Sequence, residues 1–175
     1  MEKTLQEKID YSIGLIKKYE ADAIRLNDGY TVCFSGGKDS QVLLDLFKKA
    51  RVKYRAVYNV TTNDPPENVY FIKQHYPEVE FILPKMNFFR LIEHKKCLPY
   101  INRRFCCEKL KEYYGKGICA MGVRKEESAK RSAYSEIVFH KKGAEQSYSV
   151  GGGGKAARFF SDLFLIGEKM IFGNI

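Results

Sequence analysis

The sequence has no apolar run that approaches the roughly 20 residues needed to cross a bilayer. It also has no apolar stretch at its start, because residues 1–10 are charged and polar from the second position onward. We therefore expect neither a membrane span nor a secretory signal, and we predict a cytoplasmic location. No internal repeat is present, and the composition is that of a soluble globular protein.

The pattern that builds disulfides or zinc sites is also missing. There are five cysteines, an odd number, which argues against a disulfide framework in a cytoplasmic protein. No C-x-x-C motif occurs and the three histidines lie apart, so the ligand spacing of a zinc site is absent. Cys33 lies within an apolar run and is predicted to be a small core residue. The other cysteines are Cys97, Cys106, Cys107 and Cys119.

Acidic residues are outnumbered, with 21 against 30 lysines and arginines, which gives a net charge of +9. The excess is concentrated between Lys95 and Arg131, where there are eleven basic residues and four glutamates. This charge favours an anionic partner such as a nucleotide, a sulfated or phosphorylated small molecule, or nucleic acid. A solvated basic surface is the alternative. Nucleic acid binding alone is the weaker hypothesis, because no aromatic–basic array of a known module is present.

Short apolar segments alternate with helical patterns along most of the chain. Apolar spacing predicts one amphipathic helix over residues 3–27, ended by a left-handed residue within Asn27–Gly29. A second helix is predicted after residue 37, and a third after Asp64, which can cap it. The predicted strands are Tyr30–Phe34, Tyr54–Val60, Val79–Leu83 and Gly117–Val123. This alternation predicts an α/β fold, a three-layer sandwich with a mainly parallel sheet flanked by helices.

Residues 141–175 differ from residues 1–140, which we predict to be the folded domain. Four consecutive glycines, Gly151–Gly154, predict a flexible link. The apolar segment Phe159–Phe172 could dock on the core, pair with a second subunit in a homo-oligomer, or be poorly ordered.

Three polar stretches follow predicted strands: Ser35–Ser40, Thr61–Asp64 and Arg124–Ser128. Ligands of parallel α/β sheets bind beyond the carboxyl ends of the strands. We therefore expect these stretches to converge on one rim of the sheet.

The first stretch belongs to the segment TVCFSGGKDS, Thr31–Ser40, and predicts a phosphate site. A strand, two glycines and a helix direct backbone N–H groups and the positive end of a helix dipole toward one point. Glycine permits close approach of the phosphate and a positive φ. The side chains that could act there are Ser35 and Ser40 as donors, Lys38 as a point charge, and Asp39 as a helix cap or Mg²⁺ ligand. A plain surface turn is the alternative.

SGGKDS after a strand resembles the pyrophosphate-binding loop (PP-loop) of the N-type ATP pyrophosphatases, and specifically the phosphoadenosine phosphosulfate (PAPS) reductase family. Two further segments resemble that family in the same order: TTNDPPENVYFIKQHYP, and RRFCCEKLKEYYGKGICAMGVRKEESAKR with its Cys-Cys pair and G-x-R-x-x-E-S loop. The resemblance covers residues 28–132. It implies the adenine nucleotide alpha-hydrolase-like fold, with a nucleotide-binding domain over residues 1–140.

The resemblance also implies roles for individual residues. The phosphate or sulfate end of an adenine nucleotide would be held by Ser35, Gly36, Gly37, Lys38, Asp39 and Ser40. Thr61 and Thr62 would lie near the ribose or the phosphate. Arg124, with Lys125 and Arg131 close by, would neutralise the far end of the anion. In the alternative, Arg124 lies at an exposed helix start where neighbouring charges pair locally.

The cysteines depart from the family pattern. In adenylylsulfate reductases of this family, tandem cysteines join a later C-x-x-C in an iron–sulfur cluster. No such motif follows Cys106 and Cys107, so we do not expect a cluster. A helix start next to Arg103 and Arg104 would favour a reactive thiolate at this pair. PAPS reductases of this family attack the bound sulfonate with a cysteine on a C-terminal tail, which residues 141–175 lack, and the chain has no tryptophan.

We expect a PAPS reductase-like enzyme that binds PAPS, adenylylsulfate or ATP and reduces a sulfonucleotide or transfers sulfur. Lys38 and Arg124 would stabilise developing charge. The sulfur acceptor would be Cys106, Cys107 or a thiol-donor protein. One alternative is an ATP pyrophosphatase that activates a substrate by adenylation, with Mg²⁺ near Asp39, for example to insert sulfur into a nucleic acid. Another is a non-catalytic nucleotide-binding module.

Overall fold

The computed structural model describes residues 4–100, 105–111, 117–122, 137–140 and 156–160. The helical elements of these residues are α1 Leu5–Lys18, α2 Glu20–Asn27, α3 Lys38–Ala50, α4 Pro66–His75, α5 Phe88–Lys95 and a π-helical turn at Cys107–Lys111. The strands are β1 Tyr30–Cys33, β2 Tyr54–Asn59, β3 Glu80–Ile82, β4 Ile118–Met121, β5 Ile137–His140 and β6 Ala156–Phe160. No helix in the described ranges has the length and apolar character to cross a membrane.

The strands form one sheet in the order β3-β2-β1-β4-β6-β5. The parallel strands are β3, β2, β1, β4 and β6, and β5 runs antiparallel to β6 at the edge. Three successive residues of β1, Tyr30, Thr31 and Val32, are only 0–1% exposed. Since successive strand residues point to opposite faces, both faces of β1 are covered. The predicted α/β fold, a mainly parallel sheet flanked by helices, is confirmed.

Strand β6 lies within the segment that the sequence predicts as a separate tail. It pairs with β4 in parallel register from Ile118 with Ala157 to Met121 with Phe160. Residues 156–160 therefore belong to the same sheet as residues 30–121. Residues 161–175, which hold most of the apolar C-terminal segment, lie outside the described residues, and the domain boundary at residue 140 stays a prediction.

The predicted single helix over residues 3–27 is wrong, because the chain forms two helices that meet at Tyr19. A capping box starts α1: Glu7 N–H donates to Thr4 Oγ1 (3.3 Å), and Thr4 N–H donates to Glu7 Oε2 (2.7 Å). Near the end of α1, the Ile16 carbonyl accepts a hydrogen bond from the buried Tyr30 hydroxyl at 2.6 Å. This bond gives a carbonyl at the helix end a partner from β1. As predicted, a left-handed residue ends α2, and it is Asp28 (φ 56°).

Helix α3 is fixed firmly against the sheet. Its inward residues Leu43, Leu44, Leu46 and Phe47 are almost fully buried, and the Phe47 ring packs edge-on against Tyr30 with centroids 5.1 Å apart. Burial of each such side chain stabilises the fold by about 1.5–3 kcal/mol. This packing sets the position of α3, and therefore of its amino terminus, relative to β1.

A second, smaller apolar cluster joins α5 to the π-helical turn. Leu91, Phe105 and Leu110 form its centre, with Cys97 and Cys106 packed against them. The cluster therefore determines where the Cys-Cys segment lies.

Candidate anion-binding cleft

The sheet order changes direction at β1, which lies between β2 and β4. Cys33 at the end of β1 is in register with Val57 of β2 and Met121 of β4, so β1 and β4 end at the same level and β2 continues two residues further, to Asn59. A cleft of about 230 Å³ opens beyond these ends. Its walls are Cys33, Phe34, Ser35, Ser40, Val57, Tyr58, Asn59, Thr61, Asp64, Lys111, Met121 and Gly122. This is the switch point of an α/β sheet, where ligands of such folds bind.

The predicted phosphate loop connects β1 to α3, and Ser40 gives it its shape. The Ser40 hydroxyl donates to the Gly37 carbonyl at 2.8 Å and accepts from Ser35 N–H at 3.2 Å. Ser40 is 4% exposed, whereas Ser35 lies at the surface. Ser40 therefore closes the loop from inside, while Ser35 lies on its outer side.

Gly36 and Gly37 differ in how strictly the structure requires glycine. Gly36 has φ +80°, and a Cβ there would lie 2.3 Å from Asn68 Oδ1. Gly37 has an extended conformation (φ −73°), and a Cβ there would meet only Ser35 Oγ, at 3.5 Å. Only residue 36 therefore needs glycine for conformation and space.

Helix α3 begins at Lys38 after the N-cap residue Gly37, which has no side chain to cap it. A helix start of this kind presents its N–H groups and the positive end of the dipole to an anion. Lys38 is exposed and Asp39 is half-buried in this first turn. Neither side chain lines the cleft itself.

Strand β4 approaches the same helix start through Gly122. A Cβ on Gly122 would lie 2.8 Å from the Asp39 carbonyl oxygen and 3.3 Å from Ser40 N. The close contact of the two backbones therefore requires glycine at this position.

Asp64 lies in the cleft and does not cap α4, so the predicted capping role is wrong. The N-cap residue of α4 is Pro65, without a side-chain cap. The Asp64 carboxylate instead turns back and accepts from Thr61 N–H at 3.0 Å. Burial alone would raise the pKa of Asp64, but hydrogen bonds from Tyr58 and Thr61 and the nearby Lys111 charge outweigh it and lower the pKa. Asp64 is therefore an ionised carboxylate at neutral pH.

Asn68 connects the carboxylate to the phosphate loop. Its Nδ2 donates to the Ser35 carbonyl (3.3 Å) and to the Tyr58 hydroxyl (3.4 Å). Burial, together with the hydrogen bond to Asp64 and its charge, raises the pKa of Tyr58, which therefore keeps its proton as a donor to Asp64. A chain of side chains thus links Ser35 to Asp64.

The two predicted threonines lie in different places. Thr61 is buried and lines the cleft. Thr62 has a left-handed conformation (φ 60°), and its hydroxyl accepts from Phe88 N–H at 2.8 Å and donates to the Thr61 carbonyl at 2.6 Å. Thr62 therefore ties the loop after β2 to the start of α5 and does not line the cleft.

The Cys-Cys segment reaches the cleft through a lysine. Cys106 and Cys107 are half-buried at the start of the helical turn, and neither lines the cleft. Lys111, one turn further on, does line it, and its carbonyl accepts from Asn59 Nδ2 at 3.1 Å.

The chain matches a known protein family. Residues 29–151, more than half of the 175 residues, match the family model described as the phosphoadenosine phosphosulfate reductase domain. The chain belongs to this family. A comparison with curated proteins found no match. The family is generally enzymatic, and membership indicates a sulfonucleotide-related function for this PAPS reductase domain.

The structure does not describe every predicted residue of this PAPS reductase domain. Arg124 and Arg131 lie outside the described residues, as does the whole third polar stretch, so only the first two of the three stretches are seen to converge. In the described ranges, no three histidine, cysteine or acidic side chains are grouped as metal ligands.

Two cysteines of the strands have different surroundings. Cys119 is fully buried in β4. Cys33, predicted as a core residue, is instead half-buried and lines the cleft, because β1 ends there.

Sequence reasoning missed four polar residues of the site: Tyr58, Asn59, Asn68 and Lys111. It expected Asp64 at the rim, within the stretch Thr61–Asp64, but assigned it to capping α4. Spacing held a signal for the observed places of Asp64 and Lys111. Asp64 follows Thr61 by three residues, a distance at which a carboxylate can accept from the backbone N–H of the earlier residue. Lys111 follows Cys107 by four residues, about one helical turn. No local signal indicates Asn68, whose partners are distant in the sequence.

Proposed function

We propose that this PAPS reductase domain binds an adenine nucleotide with its phosphate or sulfate end at the start of α3. The bound nucleotide would serve sulfonucleotide reduction or a related sulfur transfer. The observation that carries the proposal is that the amino terminus of α3, with glycine as its N-cap residue, follows β1 directly beside a cleft at the carboxyl ends of β1, β2 and β4.

The anion would be held mainly by backbone. N–H groups of the first turn of α3 supply directed donors, and the dipole adds roughly half a positive charge. The exposed Lys38 ammonium can fold over a bound phosphate as a point charge. Arg124 and Arg131 are proposed to neutralise the other end of the anion. Positive groups in these places would stabilise the charge that develops on the leaving nucleotide.

For reduction, a thiolate attacks the sulfur of the sulfonucleotide. A sulfur–sulfur bond forms, the bond from sulfur to the phosphate oxygen breaks, and the nucleotide leaves with that electron pair. A second thiolate then attacks the first cysteine sulfur and releases sulfite, so two thiols supply two electrons and end as a disulfide. The proposed thiols are Cys106, Cys107 or those of a thiol-donor protein.

A second candidate function is adenylation. It is favoured by the position of Cys106 and Cys107, which do not line the described cleft, since adenylation needs no thiol there. An acceptor oxygen would attack the α-phosphate of ATP and release pyrophosphate, with Mg²⁺ bridging the phosphates. Asp39 stays the proposed Mg²⁺ ligand. A nucleic acid that accepts sulfur is a candidate substrate for this version.

Binding is tested by thermal shift with ATP, AMP, adenylylsulfate and PAPS on the wild type and on Lys38→Ala. We expect stabilisation by at least one nucleotide and about tenfold weaker binding by the variant, which corresponds to loss of one charge-assisted contact. Stabilisation by none of the four, or equal stabilisation of the variant, would contradict the proposal.

The product formed distinguishes reduction, adenylation and nucleotide binding without catalysis. Sulfite release from a sulfonucleotide with a thiol donor, lost in Cys106→Ser or Cys107→Ser but kept in the control Cys97→Ser, supports reduction. Pyrophosphate release from ATP that depends on Mg²⁺ supports adenylation. Binding with neither product supports a non-catalytic nucleotide-binding module.

A further inference from the structure

The described walls of the cleft carry two charged side chains of opposite sign, Asp64 and Lys111. The Lys111 charge acts on Asp64 and helps to keep it ionised. Among the described lining residues, Lys111 is the one cation that a second phosphate could meet, and the Asp64 carboxylate lies in the same cleft.

The Asp64 carboxylate is held in place by its neighbours. Thr61 supplies its N–H at 3.0 Å and its hydroxyl, and Tyr58 supplies its phenol proton. A carboxylate has about four acceptor positions, and the described residues occupy three of them, which leaves about one for a ligand. Since Asp64 lines the cleft, a ligand donor can reach that position.

We propose that Asp64 makes this cleft selective for a nucleotide whose ribose hydroxyls are unphosphorylated. This inference rests on the proposed function, in which the 5′-phosphate or sulfate end lies at the start of α3. The ribose then follows within the cleft, which contains Asp64. A ribose hydroxyl donates to the carboxylate, whereas a 3′-phosphate brings a second anion into a half-buried site of the same charge.

The proposal commits this member of the family to adenylylsulfate or ATP over PAPS. The structural alternative is that Asp64 only holds the loop after β2, through its bond to Thr61 N–H. The two roles differ in what removal of the charge does to selectivity. A purely structural residue changes the affinity for all nucleotides together.

The test compares AMP with adenosine 3′,5′-bisphosphate, which share the base and 5′-phosphate and differ only by the 3′-phosphate. Calorimetric Kd values are measured for the wild type, Asp64→Asn and Asp64→Glu. A matched control, Asp45→Asn, removes the same charge on the exposed side of α3, where Asp45 pairs with Lys49. Thermal unfolding without ligand checks that each variant is folded.

We expect wild-type protein to bind AMP about tenfold more tightly than the bisphosphate, the effect of one like charge at close range. Asp64→Asn should abolish most of this preference, chiefly by tightening bisphosphate binding. Asp64→Glu and Asp45→Asn should keep the preference for AMP. If Asp64→Asn does not fold, the ratio of the two Kd values in the wild type and in Asp64→Glu tests the inference instead.

Two results overturn the inference alone. One is a wild-type preference for the bisphosphate, and the other is an unchanged ratio of the two Kd values in Asp64→Asn. In both cases the proposed function still holds if AMP binding depends on Lys38. If neither nucleotide binds, the proposed function and this inference both fail.

Discussion

At the scale of single residues, Asn68 determines how the phosphate loop meets the rest of the site. One amide donates to the Ser35 carbonyl and to the Tyr58 hydroxyl, and it fits there because residue 36 has no Cβ. The loop conformation is therefore set by a residue of α4, more than thirty positions away in sequence.

Replacement of Gly36 by alanine should damage both the loop and this contact. The positive φ and the 2.3 Å approach to Asn68 Oδ1 predict a loss of about 2–4 kcal/mol in the free energy of unfolding. Gly37→Ala is the matched control, since its Cβ meets an ordinary contact at 3.5 Å, and should cost under about 1 kcal/mol. Urea unfolding of the two variants measures the difference. Equal stabilities would show that the loop does not have this conformation.

The carboxylate of Asp64 should make the free energy of unfolding depend on pH in the acidic range. Because hydrogen bonds lower its pKa in the folded protein, its contribution is present above the unfolded pKa of about 3.9 and is lost as the pH falls through the folded value. Wild type should therefore be more stable than Asp64→Asn at neutral pH, and the gap should close below about pH 4. Urea unfolding of both proteins from pH 7 to about pH 3 measures it. A gap that widens in acid would contradict the lowered pKa.

At the scale of elements, the site depends on how closely β4 approaches the start of α3. Two backbones touch there through Gly122 and Asp39, and α3 is held by its buried face against β1. The helix start and the end of β4 are thus in direct contact beside the cleft.

Alanine at position 122 should separate these two elements. Its Cβ would meet the Asp39 carbonyl oxygen at 2.8 Å, and a backbone atom cannot rotate away. We expect a loss of about 1–3 kcal/mol in stability together with weaker nucleotide binding. The control is Gly14→Ala in α1, which meets nothing within 4 Å and should stabilise by about 0.5–1 kcal/mol. Denaturation and nucleotide titration of both variants check this, and full nucleotide affinity in Gly122→Ala would refute the role of the contact.

At the scale of the whole molecule, the sequence predicts those features of the fold that follow from a local pattern of residues. Short apolar strands followed by helices indicated the parallel sheet, and glycines after β1 indicated the loop at its rim. Because both faces of the sheet are covered, the run Tyr30–Val32 is buried at every position.

Features that depend on distant partners could not be predicted. The break at Tyr19 accompanies a hydrogen bond from Tyr30 to Ile16, and the position of Lys111 depends on Asn59, 52 residues earlier. Strand β6 follows a glycine-rich stretch that by composition indicates a linker. Local propensity carries no information about such contacts.

The most direct test of the account follows backbone amide resonances while AMP is added to the ¹⁵N-labelled protein. The account predicts that the largest shifts belong to Gly36, Gly37 and Lys38, and that Lys38→Ala raises the Kd about tenfold. Largest shifts on α5 or the outer face of α1, with an unchanged Kd in Lys38→Ala, would contradict anion binding at the start of α3.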